Sequence, residues 1–247
     1  MIKRFTWEII VGLSLVAVSA VFFLAQITIF HSERDTLFYL LQDLAFLPIQ
    51  VLLVTIVIDR LLILRERQNM LKKLNMVIGV FFTETGIELL RILSEFERLP
   101  DSLRKQLIIS GEWGNREFAE ATIVFRTHRH QIEAVAERLE QLRHFLLDKR
   151  EFLLVLLENP ILLEHDTFTE LLLAVFHLAD ELAHRVDMLG LPASDYQHLA
   201  GDVQRAYHLL IIEWLAYMKH LKNDYPYLFS LAIRMNPFDS NASPIVN

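Results

Sequence analysis

The chain has 247 residues, 53% of them hydrophobic, a formal net charge of -7 and no cysteine. Without cysteine there are no disulfides, no thiolate catalysis and no cysteine-based zinc sites. The acidic balance, 20 Lys plus Arg against 26 Asp plus Glu in residues 65–247, argues against nucleic acid, whose binding rests on neutralising phosphates.

Seven Gly and seven Pro supply too few turn residues for a many-stranded sheet. The predicted fold class is therefore all-α, an N-terminal two-helix transmembrane hairpin followed by a cytosolic helical bundle. Residues 5–30 are almost continuously apolar and exceed the roughly 20 residues needed to cross the hydrocarbon core. Lys3, Arg4 and the small-residue stretch "VSA" at 18–20 suggest a cleavable signal. The apolar run continues well past Ala20, however, and a second span follows at residues 37–58, so an anchor is the expectation. The domain boundaries read as 1–64 for the hairpin, 65–235 for the helical domain and 236–247 for a loose tail.

Lys3 and Arg4 precede the hairpin, and Arg60, Arg65, Arg67, Lys72 and Lys73 follow it. By the positive-inside rule both termini are cytoplasmic, in a multi-pass protein of the inner cell membrane. The second span, "FYLLQDLAFLPIQVLLV" at residues 38–54, holds Gln42, Asp43, Pro48 and Gln50. An antiparallel hairpin with a loop at residues 31–36 sets Gln26 beside Gln42 and Asp43, Ser19 beside Gln50, and Glu8 beside Arg60. Polar side chains at matched depth hydrogen-bond across helices or between subunits. A pore built from several hairpins, with Asp43 and Gln50 facing it, is the alternative.

Beyond the anchor, helix is expected over residues 59–99 and briefly over 101–110, with a loop at "GEWGN" (111–115). A long helical segment follows over 116–158, stopped by Asn159 and Pro160 and bent or broken somewhere within. Two more helices run over 166–189, closed by Gly190 and Pro192, and over 194–223, capped by Ser194 or Asp195. A last short helix covers 225–235.

The segment "HLADELAH" contains Glu181 and His184 in the Glu-x-x-His spacing of di-iron carboxylate bundles, with His177 one turn earlier. These three are the candidate metal ligands. A wheel puts them opposite the apolar face drawn by Phe168, Leu171, Leu172, Val175, Ala179, Leu182, Val186 and Leu189, which reads as a solvated face. No second Glu-x-x-His occurs. Asp195 with His198, Glu140 with His144, and His220 with Asp224 are partners by spacing alone. "RTHRH" at 126–130, placed on a helix, could meet lipid headgroups or an acidic partner, or sense pH; an ordinary exposed face is the bland alternative. Glu213 sits at the edge of the last long helix's apolar face. "NAS" at 241–243 has the glycosylation pattern but would lie in the cytosol.

No phosphate loop, nucleophile elbow or His-Glu-x-x-His motif is present, so no catalytic residue and no cofactor is assigned. The closing segment "YPYLFSLAIRMNPFDSNAS", together with the two-span start, resembles uncharacterised prokaryotic two-span membrane proteins with a cytosolic helical domain. That resemblance implies no activity. The sequence reading is a membrane-anchored, oligomeric interaction, scaffold or signalling protein, with the lipid bilayer, further copies of the chain and a cytosolic protein as partners. An oligomeric channel and a metal-binding helical bundle are the alternatives.

Overall fold

The computed structural model describes residues 2–30, 33–162 and 165–245; the side chains of residues 2–12, 15, 30, 33, 36 and 68 fall outside that description. Among the described residues the structure is all-helical apart from one isolated antiparallel bridge between Glu97 and Ile132. The chain divides into two compact units, Met1–Arg67 and Gln68–Asn247.

In the first unit, α1 spans Ile2–Phe30, and α2, Glu33–Phe81, begins there and passes the unit boundary. Residues 33–36, expected in a loop, already belong to α2, and residues 31 and 32 lie outside the described set. Pro48 sits inside α2 without ending it. The apolar side chains of residues 37–64 are exposed, Leu44 at 64% and Leu52 at 60% among them. Ser19, Gln42, Asp43, Gln50 and Arg60 are exposed too, and Gln26 is half-buried. The side chain of Glu8 lies outside the described residues.

The second unit is built around α9 (Ala193–Asp224), which packs against α8 (Asp166–Ala183), α5 (Asn115–Thr127), α10 (Pro226–Arg234) and α3 (Ile87–Ser94). α6 (Ala136–Asp148) and α7 (Arg150–Leu157) cover α8. α8 shows why these segments are helices. Phe168, Leu171, Leu172, Val175, Ala179 and Leu182 recur at three- and four-residue spacing and are all buried, while His165 Nδ1 accepts the Phe168 amide at the N-terminus. α8 stops at Ala183, short of the expected Leu189. The Arg185 guanidinium turns back to the Glu181 carbonyl (2.6 Å) and also grips Asp195 (2.7 and 2.8 Å). Val186, expected on the apolar face, is 94% exposed, and Leu189 is exposed as well. Gly190, with φ of 75°, supplies the left-handed residue that turns the chain toward α9.

Three further expectations are corrected. The helix over 59–99 is not uniform, because α2 passes into a π-helical turn at Phe82–Gly86 before α3. Gly86 there is buried beside Phe81 and Phe82, and Phe82 stacks on Tyr217 of α9 at 4.7 Å. The segment over 101–110 is a single turn, α4 (Asp101–Arg104), running into a 3-10 turn at Lys105–Leu107. The tail is tied down at its start. Asn236 is buried and donates to the Leu107 carbonyl at 2.8 Å, and buried Phe238 packs edge-on against Trp214.

The long segment over 116–158 breaks completely between α5 and α6. Thr127 Oγ1 bonds back to the Ile123 and Val124 carbonyls, and His128 turns extended with ψ of 131°. Residues 128–135 therefore form a loop, and "RTHRH" straddles a helix end instead of lying on a helix. No Gly or Pro marks this break; its cause lies elsewhere in the chain.

Candidate functional site

That cause is Glu97, in the short segment after α3, whose side chain is 4% exposed. Its Oε2 accepts His130 Nδ1–H at 2.8 Å, and its Oε1 accepts His128 Nε2–H and the Gln131 amide, both at 3.1 Å. The Glu133 amide donates to the Phe96 carbonyl at 2.8 Å, completing the bridge. The amides of Gln131 and Glu133, which a helix would have used internally, find their acceptors here.

Three N–H donors on one buried carboxylate favour its ionised form. Burial raises the Glu97 pKa, but the hydrogen bond and charge of His130, then His128 and Gln131, outweigh it, and the carboxyl stays below its ordinary range. One oxygen of Glu97 and one nitrogen each of His128 and His130 lie within 4.8 Å of one another, a grouping able to hold a metal ion. Their separations, however, are hydrogen-bond lengths, and the three donors already satisfy the carboxylate. The cluster works as a latch between two loop segments.

The two latch histidines also line an open cleft of ≈ 450 Å3. His128, Arg129 and His130 of the loop line it together with Glu170 of α8 and Arg205 and His208 of α9. The His130 ring lies 5.0 Å from that of Tyr207 and 5.6 Å from that of His208. His130 Nε2 and the Tyr207 hydroxyl are buried without a hydrogen-bond partner among the described residues. Burial, then the charge of Glu97, pushes the Tyr207 phenol far up. Burial lowers the His208 pKa, and His130, His128 and Arg126 lower it further by repulsion. His208 thus registers a positive field in a domain that is acidic overall.

The residues expected to bind metal are separated. His184 is 77% exposed and its Nδ1 turns to the Asp180 carbonyl at 2.8 Å, away from the other two. His177 and Glu181 are joined instead by His198 and Asp202 of α9. His177 Nε2 lies 3.9 Å from Glu181 Oε1 and 3.7 Å from Asp202 Oδ2; His198 Nε2 lies 3.7 Å from Glu181 Oε2 and 3.4 Å from Asp202 Oδ2. This face was expected to be solvated, and His177 and His184 are exposed, at 48% and 77%; Glu181, at 28%, lies against α9, where the Asp202 side chain is 6% exposed. Asp195, the spacing partner proposed for His198, is taken by Arg185. His144 meets Glu140 at 3.2 Å and His220 meets Asp224 at 2.8 Å, both as ion pairs along one helix. Glu213 is buried.

Glu97 gave no signal in the sequence because a lone Glu in a helical pattern reads as solvated. The two histidines of "RTHRH" were singled out, but without their anchor.

Residues 70–234, which hold both clusters, match the family described as "Uncharacterized protein MJ1433, C-terminal helical domain", and residues 2–62 match "MJ1433, N-terminal helical domain". The chain is 45% identical over 236 residues to "Uncharacterized protein MJ1433" of Methanocaldococcus jannaschii, covering 96% of this chain and 95% of that one. No solved structure matches it.

Proposed function

Since the chain belongs to the MJ1433 family of uncharacterised helical proteins, a membership that carries no activity with it, we propose a function from its own chemistry: a membrane-anchored interaction module whose helical domain captures an acidic polypeptide segment of a partner. The observation that carries this reading is the cleft over the Glu97 latch. Two arginines and three imidazoles line it against one carboxylate, Glu170. Arg129 and Arg205 are suited to paired hydrogen bonds with carboxylates, and two guanidinium charges facing the one carboxylate of Glu170 concentrate ligands of the opposite sign.

The anchor rests on α2. Among the described residues one helical stretch, in α2, is long and apolar enough to cross a membrane, and a shorter apolar stretch spans Val16–Ile29 in α1. A contiguous apolar surface of this size calls for an apolar surrounding, and lipid provides it. Gln42, Asp43 and Gln50, exposed within the apolar stretch, favour association of anchors through hydrogen bonds in the bilayer.

The test uses full-length protein in nanodiscs and a fluorescent poly-glutamate peptide, read by anisotropy. Binding is expected to weaken at least tenfold in Arg129→Ser and Arg205→Ser and to weaken with added salt, whereas inorganic phosphate competes poorly. Affinity unchanged in both variants would overturn the cleft assignment. For the anchor, alkaline carbonate is expected to leave the chain in the membrane pellet; release to the supernatant would overturn it.

A further inference from the structure

The helices α8 and α9 carry the same short pattern. His-Leu-Ala-Asp-Glu occupies residues 177–181 and His-Leu-Ala-Gly-Asp residues 198–202, each with a histidine followed four positions on by a carboxylate. That spacing puts both groups on one helix face. Leu178, Ala179 and Leu199 are buried, so the apolar part of each pattern packs inward and the two polar faces meet. They meet reciprocally. His177 faces Asp202 while His198 faces Glu181, and each histidine also faces the carboxylate of its own helix.

From this arrangement we propose that His177, Glu181, His198 and Asp202 form a binding site for a divalent transition-metal ion, of the zinc, manganese or nickel class, between α8 and α9. The distances leave these pairs outside ordinary hydrogen bonding. Each imidazole stands 3.4 to 3.7 Å from Asp202 Oδ2 and 3.7 to 3.9 Å from a different oxygen of Glu181, beyond ordinary hydrogen-bond length, and a cation would draw the four groups inward. In the Glu97 latch the corresponding distances are 2.8 and 3.1 Å, the lengths of hydrogen bonds.

A second observation is independent of these distances. Asp202 Oδ2 is buried and no hydrogen bond reaches it among the described residues, although two imidazole nitrogens stand 3.4 and 3.7 Å away. A buried carboxylate oxygen without a donor is costly, and a cation bound by both imidazoles would satisfy it. The surroundings resemble the outer shell of a metal site, where further groups orient the ligating carboxylates. Arg185 Nη1 holds Glu181 Oε2 at 2.7 Å, and Arg205 Nη1 approaches Asp202 Oδ1 at 3.7 Å. Two imidazoles with two carboxylates suit borderline ions.

The test is cobalt(II) titration of the full-length chain in detergent, followed by visible absorption and by metal content after desalting. The wild-type chain is expected to bind one equivalent with a low-symmetry cobalt spectrum. Asp202→Asn and His198→Gln are each expected to lose at least tenfold in affinity, and His184→Gln, at an exposed ring bonded to its own helix, to bind as the wild type does. Absence of binding by the wild-type chain or unchanged binding in both α8–α9 ring variants would overturn the proposal. Far-UV circular dichroism of each variant checks that the helices are intact; should Asp202→Asn fail to fold, the half-exposed His198→Gln carries the test. Peptide capture in the cleft is read by anisotropy on a separate sample, so either reading can fail without the other.

Discussion

His130 donates its Nδ1–H to Glu97 Oε2 across 2.8 Å, joining positions 33 apart in the sequence. The bond is buried and charge-assisted, and with the Gln131 amide on the same carboxylate it holds this loop against the segment after α3. Removing the charge should be felt by the whole helical domain. Glu97→Gln is expected to destabilise it by about 3 kcal/mol, the usual scale for breaking a buried, hydrogen-bonded ionic contact. Thermal melting of the variant beside the wild type checks this, and a shift of only a degree or two would contradict it.

The same carboxylate sets a pH dependence. Its pKa is held below the ordinary value of 4.5, so the folded state binds this proton less readily than the unfolded chain does. The stabilisation is complete above the ordinary carboxylate range and is lost as pH falls through the depressed folded value. Urea denaturation at pH 7, 4 and 3 should therefore show wild type and Glu97→Gln converging toward acid. A constant gap across the three would contradict the assignment.

Gly86 is expected to tolerate no methyl group. A Cβ there would stand 2.6 Å from Phe82 Cδ1 and 3.0 Å from Phe81 Cε1. Neither ring can retreat easily, since Phe82 stacks on Tyr217 and Phe81 packs edge-on against Phe168. Although Ala is the better helix former, Gly86→Ala should cost about 1–3 kcal/mol through overpacking, read as a lower urea midpoint at unchanged slope.

Phe238 is 6% exposed against Trp214. Phe238→Ala is expected to cost about 3 kcal/mol, the range for truncating a buried aromatic side chain. Tryptophan fluorescence during denaturation would follow it directly, and a chain ending at Met235 should lose at least as much.

Local chemistry carried most of the helical outline. α8 and α9 begin within a residue of their expected starts, with His165 capping α8; the cap expected for α9 at Ser194 or Asp195 is not used, since the helix starts at Ala193 after Pro192 and Asp195 pairs with Arg185. The break between α5 and α6 was hidden in location because its determinant, Glu97, lies 31 to 34 residues away and no nearby Gly or Pro announces it. The start of the tail is hidden for a related reason: Asn236 reads as polar and loose until Leu107 supplies its acceptor. Of the candidate ligands, His177 and Glu181 were legible through their one-turn spacing. His184 obeyed the same local rule, yet α8 ends beside it and its ring turns outward. Asp202 could be recognised only once α9 was laid against α8.

Arg205 stands on the border of both clusters, lining the cleft on one side and lying 3.7 Å from Asp202 Oδ1 on the other. Were both proposed sites occupied, an anion drawing this guanidinium into the cleft would leave Asp202 more negative, and by reciprocity a cation on Asp202 would favour the anion. That exchange would run through one side chain, 60% exposed.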